Sequence, residues 1–367
     1  GVHLSPRSSA CVHSAACRCR AGHPMGCGAS AQNPEPARQL VLLGGGECGK
    51  TTIFKQIQIL HGTGFADSAP QWLPAIRRSP VRSMKVLLMR LVELKEQQYK
   101  AGFEALEAED KARLESVEAA VSGTMSDTTL TPALAADIAA LWKHPLIREC
   151  LQHSDDGTTN RLDLDDNAIF FLDRVEKMAD PSFKPANEEI LKVRDPTRTI
   201  ETLDFQANKA KFRVIDVGGQ RMERPKWNLT GEITAVIFVC SLIEYNQVLR
   251  EDVKQNRLKE SLNLFDIACN RRYPEKPIIL FLNKIDLFTE QVQKVDLSVC
   301  FPTYKGGKDP AAALEFIKWK FQSICKDKNK KIFIKETTAT DPENMAHILN
   351  SVYEIVLREN LAQSGFS

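Results

Sequence analysis

The chemistry-bearing residues begin at Leu40-Val-Leu-Leu-Gly-Gly-Gly-Glu-Cys-Gly-Lys-Thr-Thr52, where Gly44, Gly49, Lys50 and Thr51 fall in the register G-x-x-x-x-G-K-[ST]. An apolar run, Leu40 to Leu43, precedes the glycines and a helix-like run, Ile53 to Leu60, follows them. A strand, a glycine-rich turn and a helix start make a phosphate site, because successive backbone N–H groups turn inward and the helix N-terminus adds its positive dipole end. The cradle comprises Gly44, Gly46, Glu47, Cys48, Gly49, Lys50, Thr51 and Thr52. Lys50 can reach the β- and γ-phosphates of a nucleotide, while the Thr51 hydroxyl is placed for Mg²⁺. The loop alone says nucleoside triphosphate and leaves the base open.

Three further constellations follow apolar runs. Asp216-Val-Gly-Gly219-Gln220 offers a carboxylate at a strand end, where it can hold Mg²⁺ through water, and the Gly219 N–H, which no side chain screens from a γ-phosphate. Asn283-Lys284-Ile285-Asp286 offers a carboxylate that can accept from N1–H and the exocyclic amine of guanine, a pair adenine cannot donate. In Thr337-Thr338-Ala339-Thr340 a backbone N–H can read the guanine O6. Each motif alone is weak; in this order, each at a strand end, they point to GTP and Mg²⁺.

The elements that must position these residues are legible in outline. Lys211 to Val217, Ala235 to Ser241, Pro277 to Leu282 and Ile332 to Ile334 are short apolar runs suited to buried parallel strands, and open α/β sheets bind ligands at the carboxyl ends of such strands. Thr63 to Pro80 reads as a Pro-, Ser- and Ala-containing linker, after which Met84, Leu87, Leu88, Leu91 and Leu94 predict a long amphipathic helix. Leu134, Ile138 and Leu141-Trp142 form another stripe, and Ile169, Leu172, Val175 and Met178 a third. No strand is expected from Ala66 to about Asn187. The fold class is therefore α/β, a P-loop domain with a mostly parallel sheet and flanking helices, carrying an inserted all-α domain. The expected division is residues 38–64 and 188–367 for the nucleotide-binding domain, 65–187 for the helical insertion and 1–37 for a disordered N-terminal segment.

Composition bounds the alternatives. The 367 residues, 43% hydrophobic and 26% charged, suffice for one large or two ordinary domains with proper cores. Net charge is only +2 and no basic block is interleaved with aromatics, so there is no nucleic-acid footprint. No apolar stretch approaches the roughly eighteen residues that span a bilayer. Of the ten cysteines, four lie at or before Cys27 and the other six are scattered without paired spacing, which suits a reducing compartment. Residues 1–24 are aperiodic, and Cys11, Cys17 and Cys19 with His13 and His23 match no zinc spacing. Met25-Gly26-Cys27-Gly28-Ala29-Ser30 fits M-G-x-x-x-[ST]. If Met25 is the start, Gly26 takes a myristoyl and Cys27 can take a palmitoyl, which places the chain on the cytoplasmic face of the plasma membrane. If translation begins upstream, Gly26 is internal and the chain is cytoplasmic.

The set of motifs, the helical insertion, Leu264-Phe265-Asp266, Phe281-Leu-Asn-Lys-Ile-Asp-Leu-Phe288 and Glu359-Asn-Leu-Ala-Gln-Ser-Gly-Phe366 resemble a heterotrimeric G-protein α subunit over Leu40 to Ser367. The resemblance implies a Ras-like GTPase domain, a helical lid, a GDP/GTP switch that hydrolyses GTP with Mg²⁺, and a receptor, an effector and a βγ dimer as partners. In Ile190-Leu191-Lys192-Val193-Arg194-Asp195-Pro196-Thr197 it makes Leu191 and Lys192 nucleotide-binding, Arg194 the cis-acting catalytic arginine and Thr197 a magnesium ligand; Gln220 would orient the attacking water. A planar cation beside the β–γ oxygens stabilises charge that builds only in the transition state. Arg198 and Thr199 form a competing pair, although the Arg-to-Thr spacing favours Arg194 and Thr197.

Departures from the family pattern carry their own expectations. Cys48 stands where the family usually has Ser and puts an oxidisable thiol near phosphates. Arg198 and Thr199 replace Thr and Gly. Pro225 enters a helix the family keeps intact, and few residues separate Met25 from Leu40, so the long βγ-gripping helix is expected to be missing and βγ binding doubtful. Ser364 takes the place of a toxin-modifiable Cys of some members. Beside the hydrolysing switch stands a second reading, a divergent, non-hydrolysing GTP-dependent binding protein without a βγ partner; an ATP-using P-loop enzyme is a distant third.

Overall fold

A computed structural model describes residues 36–94, 99–122, 129–153, 164–197, 199–227, 232–249 and 252–363. Gly26, Cys27, Arg198 and Ser364, with the expectations attached to them, lie outside these residues.

The chain enters through strand β1 (Arg38–Gly44) and helix α1 (Lys50–His61), then runs through helices only: α2 (Ala69–Leu94), α3 (Lys100–Glu104), α4 (Ala108–Val121), α5 (Pro132–Lys143), α6 (Pro145–His153), α7 (Ala168–Leu172), α8 (Val175–Ala179) and α9 (Asn187–Lys192). It returns to the sheet with β2 (Glu201–Ala207), β3 (Ala210–Asp216) and β4 (Ile233–Ser241), passes a small hairpin of β5 (Val248–Leu249) and β6 (Asp252–Asn256), and continues as α10 (Arg257–Asp266), β7 (Ile278–Asn283), α11 (Ile285–Lys294), α12 (Pro310–Ile324), β8 (Ile332–Thr337) and α13 (Pro342–Gln363).

Six strands form one sheet in the order β2-β3-β1-β4-β7-β8, with every pair parallel except β2 with β3. The register brings Leu42 opposite both Asp216 and Ile237, and Asn283 opposite both Ser241 and Thr337. Parallel pairing thus lines up the carboxyl ends that carry the motifs. Both faces of the sheet are covered, which is why its inner strands β1, β4 and β7 read as apolar runs. Leu40 and Leu42 pack with Ile53, Ile57, Phe212 and Tyr353 on one face, while Val41 and Leu43 pack with Phe238, Phe265 and Phe321 on the other. A third core, with Met84, Leu87, Leu91, Ile138, Trp142, Phe171 and Met178, belongs to the helical stretch.

Two expectations change. The linker read over Thr63 to Pro80 is largely helix: α2 begins at Ala69 and carries Pro74 and Pro80 inside it. A proline in a helix interior costs about 3 kcal/mol, and the full burial of Ile76 and Val81 in the helical core offsets that cost. Strand β2, absent from the expected set, is an edge strand whose residues are mostly exposed, so it lacks the apolar run of its neighbours. Its turn was the readable signal, for Asn208 and Lys209 both take positive φ (48° and 63°) in a two-residue hairpin loop.

Candidate functional site

At the carboxyl edge of the sheet a cavity of about 770 Å³ is bounded by the β1–α1 loop, the segments after β3, β7 and β8, and the stretches Leu164 to Asn167 and Leu191 to Thr197. Gly46, Glu47, Gly49, Lys50, Thr51, Thr52, Leu191, Lys192, Arg194, Thr197, Gly219, Gln220, Asn283, Lys284, Asp286, Thr338, Ala339 and Thr340 all line it. Gly44, Cys48 and Asp216 stand behind that lining, the last two fully buried.

The loop has the backbone its glycines require. Gly44 takes φ +146° and a Cβ there would lie 2.1 Å from the Val239 carbonyl oxygen, while Gly49 takes φ +105° with a Cβ 2.2 Å from Asn283 Nδ2. Lys50 Nζ donates to the carbonyls of Gly44 (3.2 Å) and Gly45 (2.6 Å), poised at the mouth of the cradle. The thiol of Cys48 corrects the expectation of an oxidisable group. It is sealed beneath the loop, donates to the Gly45 carbonyl at 3.2 Å, and burial raises its pKa, so the thiolate that oxidation needs is suppressed.

Three oxygens converge beside the start of α1. The Thr51 hydroxyl lies 2.6 Å from that of Thr197 and donates to Asp216 Oδ2 at 2.9 Å, and Thr197 approaches the same oxygen at 3.4 Å. Asp216 Oδ1 is buried without a hydrogen-bond partner. Burial raises the Asp216 pKa, opposed by Lys50 and the two hydroxyls. An all-oxygen donor set with an unsatisfied buried carboxylate oxygen fits a hard divalent cation such as Mg²⁺.

The residues expected to read guanine also tie the loops together. Asn283 Nδ2 donates to the Cys48 carbonyl (2.9 Å), and its Oδ1 accepts from Ala339 N–H and the Thr337 hydroxyl (3.1 Å each). Asn283 therefore joins three loops through its amide. Lys284, at φ +63°, reaches the Glu47 carbonyl (3.0 Å) and pairs with Asp166 at 2.5 Å. Asp286 faces the cavity and accepts from the Thr338 hydroxyl at 3.2 Å.

Arg194 sits between two carboxylates, donating to Asp165 Oδ1 at 2.7 Å and pairing with Glu47. Glu47 is held on its other oxygen by Arg257 at 2.9 Å, and Arg257 also donates to the Gly46 carbonyl (2.7 Å) and to Glu244 (2.9 Å). Burial opposes the Arg257 charge, yet Glu244 and Glu47 leave its pKa above the ordinary value. Gln220 lies across the loop, its Cγ 3.4 Å from where a Cβ on Gly46 would be. Asp165, Arg257 and Lys55, with Glu244 behind Arg257, escaped the sequence reading because they belong to no short motif, and only the fold brings them to the cavity and its wall.

Comparison with known proteins agrees with this geometry. The sequence model of the family described as G-protein alpha subunit matches residues 28–356. The chain is 37% identical over 330 residues to the guanine nucleotide-binding protein alpha-7 subunit of Caenorhabditis elegans, covering 89% of this chain and 90% of that protein. It is 37% identical over 331 residues to the alpha-2 subunit of Dictyostelium discoideum and 36% identical over 331 residues to the G(o) subunit alpha of Caenorhabditis elegans, with the same coverage. With its sheet, its helical insertion and its nucleotide motifs gathered on one cavity, the chain belongs to the G-protein α subunit family, guanine-nucleotide-binding signalling switches of Ras-like fold that bind GDP and GTP and hydrolyse GTP.

Proposed function

We propose that this α subunit hydrolyses GTP with Arg194 and Gln220 as its catalytic residues and with Mg²⁺ held by Thr51, Thr197 and, through water, Asp216. The observation that carries the reading is the convergence of the Thr51 and Thr197 hydroxyls on Asp216 Oδ2, with Asp216 Oδ1 buried and unsatisfied, at the wall of a cavity that Arg194 and Gln220 also line. Held by these residues, Mg²⁺ would supply positive charge against the phosphates. Lys50, now on the Gly44 and Gly45 carbonyls, turns to the phosphates, and Gly219 supplies the N–H that senses the γ-phosphate. Arg194 leaves Asp165 and Glu47 for the β–γ bridge, where it stabilises charge that develops only as the bond breaks. Gln220 orients the water. Asp286 selects guanine and a backbone N–H of the Thr337 to Thr340 stretch reads its O6.

Residues 38–64 and 188–367 form the nucleotide-binding domain on this reading, and 65–187 the helical insertion that covers the site. A receptor and an effector are its partners, with βγ binding weakened. Acylation at Gly26 and Cys27, where Met25 is the start, holds the protein on the cytoplasmic face of the plasma membrane. Among the described residues no helix is long and apolar enough to cross a membrane.

Single-turnover hydrolysis tests the assignment. Arg194→Cys and Gln220→Leu are each expected to slow the step by about a hundredfold or more while GTP-analogue affinity stays within about threefold, the pattern of an interaction made only in the transition state. Unchanged turnover in Arg194→Cys would reject Arg194 and direct attention to Arg198. Wild-type protein that binds GTP without hydrolysing it would favour a nucleotide-dependent binding protein instead.

A further inference from the structure

Lys55 lies on α1, one turn beyond Thr51, and is a buried lysine with no part in the phosphate, metal or base contacts above. Only 3% of it is exposed. Its Nζ donates to the carbonyls of Ile190 (2.9 Å) and Val193 (3.3 Å) and stands 4.0 Å from the centroid of the Trp72 ring. Trp72 belongs to α2 of the helical stretch, Ile190 to α9, and Val193 immediately precedes Arg194. One ammonium therefore joins the phosphate-loop helix, the helical stretch and the segment that delivers the arginine. Burying such a charge costs several kcal/mol unless its donors are occupied. Two carbonyls and an aromatic face occupy them here, and a cation–π contact of this kind strengthens with desolvation. The Lys192 carbonyl between them is taken by Asn167 Nδ2 at 3.0 Å, so the backbone on both sides of the turn into Arg194 is pinned.

We propose that Lys55 is a positioning residue for hydrolysis: it holds the Ile190 and Val193 carbonyls in the frame from which the Arg194 guanidinium reaches the nucleotide, and locks that frame to Trp72. The proposal rests on the catalytic reading of Arg194. Without the clamp the guanidinium still binds locally to Glu47 and Asp165, but its route to the β–γ bridge is no longer fixed. Displacement of a catalytic group by about 1 Å can cost on the order of a hundredfold in rate.

The test uses the full chain loaded with GTP. Lys55→Met keeps the length of the stem and removes the charge and donors; Lys55→Gln keeps two N–H donors without the charge. Lys55→Met is expected to slow single-turnover hydrolysis by about ten- to a hundredfold with GTP-analogue Kd within about threefold, and Lys55→Gln to lose less. The double variant Lys55→Met with Arg194→Cys is expected to be no slower than Arg194→Cys alone, since the two act through one group. A merely structural role would lower affinity along with rate, or multiply the two losses, and either result overturns the proposal. Wild-type hydrolysis in Lys55→Met overturns it as well. Should Lys55→Met fail to fold, the same comparisons on Lys55→Gln decide the matter. Unchanged hydrolysis in Arg194→Cys alone would instead overturn the arginine reading on which the proposal stands, and so separates the two failures.

Discussion

Individual residues here act through the partners and surroundings the fold gives them. Asp286 lines the cavity and accepts from the Thr338 hydroxyl, and a carboxylate offers a base acceptors only. Asp286→Asn puts a donor where guanine also donates, and is expected to weaken GTP binding at least tenfold while admitting xanthine nucleotides; full retention of GTP selectivity would remove Asp286 from the base site. Lys55 gives a pH dependence of definite sign. Burial is the main influence and pushes its pKa from 10.5 down to about 8, opposed by Asp195, Glu201 and Asp216. Between those values the unfolded chain holds a proton that the folded chain has lost, so stability gains as pH rises from about 8 toward 10.5, by at most roughly 3 kcal/mol. Below pH 8 the native state bears the cost of a buried charge. Chemical denaturation of wild type and Lys55→Met across this range checks the point: the stability difference between them should change with pH, and a constant difference would contradict it.

At the scale of elements, the described segment after β3 departs from an ordinary α-helix. Arg221–Trp227 is a 3₁₀ helix with Pro225 inside it, tighter than an α-helix and lacking the N–H that proline removes. It is anchored by Trp227 Nε1 to the Gly218 carbonyl (2.8 Å) and by Arg224 to the Gly219 carbonyl (3.2 Å) and Glu260 (2.6 Å), while Met222 is 88% exposed. Partners that require an α-helical surface here meet the wrong spacing of side chains. GDP-loaded protein is accordingly expected to bind βγ from its own organism more weakly than micromolar, with Pro225→Ala tightening it several-fold. Sub-micromolar binding by wild type, released by a GTP analogue, would overturn this. The close approach of Gly219 to the loop adds a second constraint, because a Cβ there would fall 2.3 Å from Lys50 Nζ and 2.4 Å from the Gly45 carbonyl oxygen.

For the whole molecule, the decisive feature is that one cavity is lined from both the sheet edge and the helical stretch. Lys284 to Asp166 and Arg194 to Asp165 tie the two across it, and Lys55 does so from behind. A nucleotide seated there would touch both sides, and is expected to stabilise them together. GDP at a hundred times its Kd is expected to add about 2.7 kcal/mol to unfolding and to merge the transitions of the sheet and helical cores. ATP at the same concentration is expected to leave thermal unfolding unmoved, and an equal shift with ATP would contradict guanine selectivity.

The sequence by itself determined the glycine-rich loop, the motifs that gather at the strand ends and the parallel strands that carry them, because each depends on local chemistry: glycines where φ is positive, apolar runs where both faces are covered, carboxylates at strand ends. It also showed the helical insertion through its 3.6-residue periodicity. It misjudged α2, since Pro74 and Pro80 read locally as breakers and only packing of Ile76 and Val81 against distant helices overrides them. It passed over β2, whose polar edge gains order from pairing with β3. The tertiary structure alone decided that Cys48 is sealed, that Asn283 joins three loops, that Arg194 rests between Asp165 and Glu47, and that Lys55 reaches the carbonyls beside it. Those contacts join residues up to 235 positions apart, and no periodicity or short motif records a distance that only the folded chain creates.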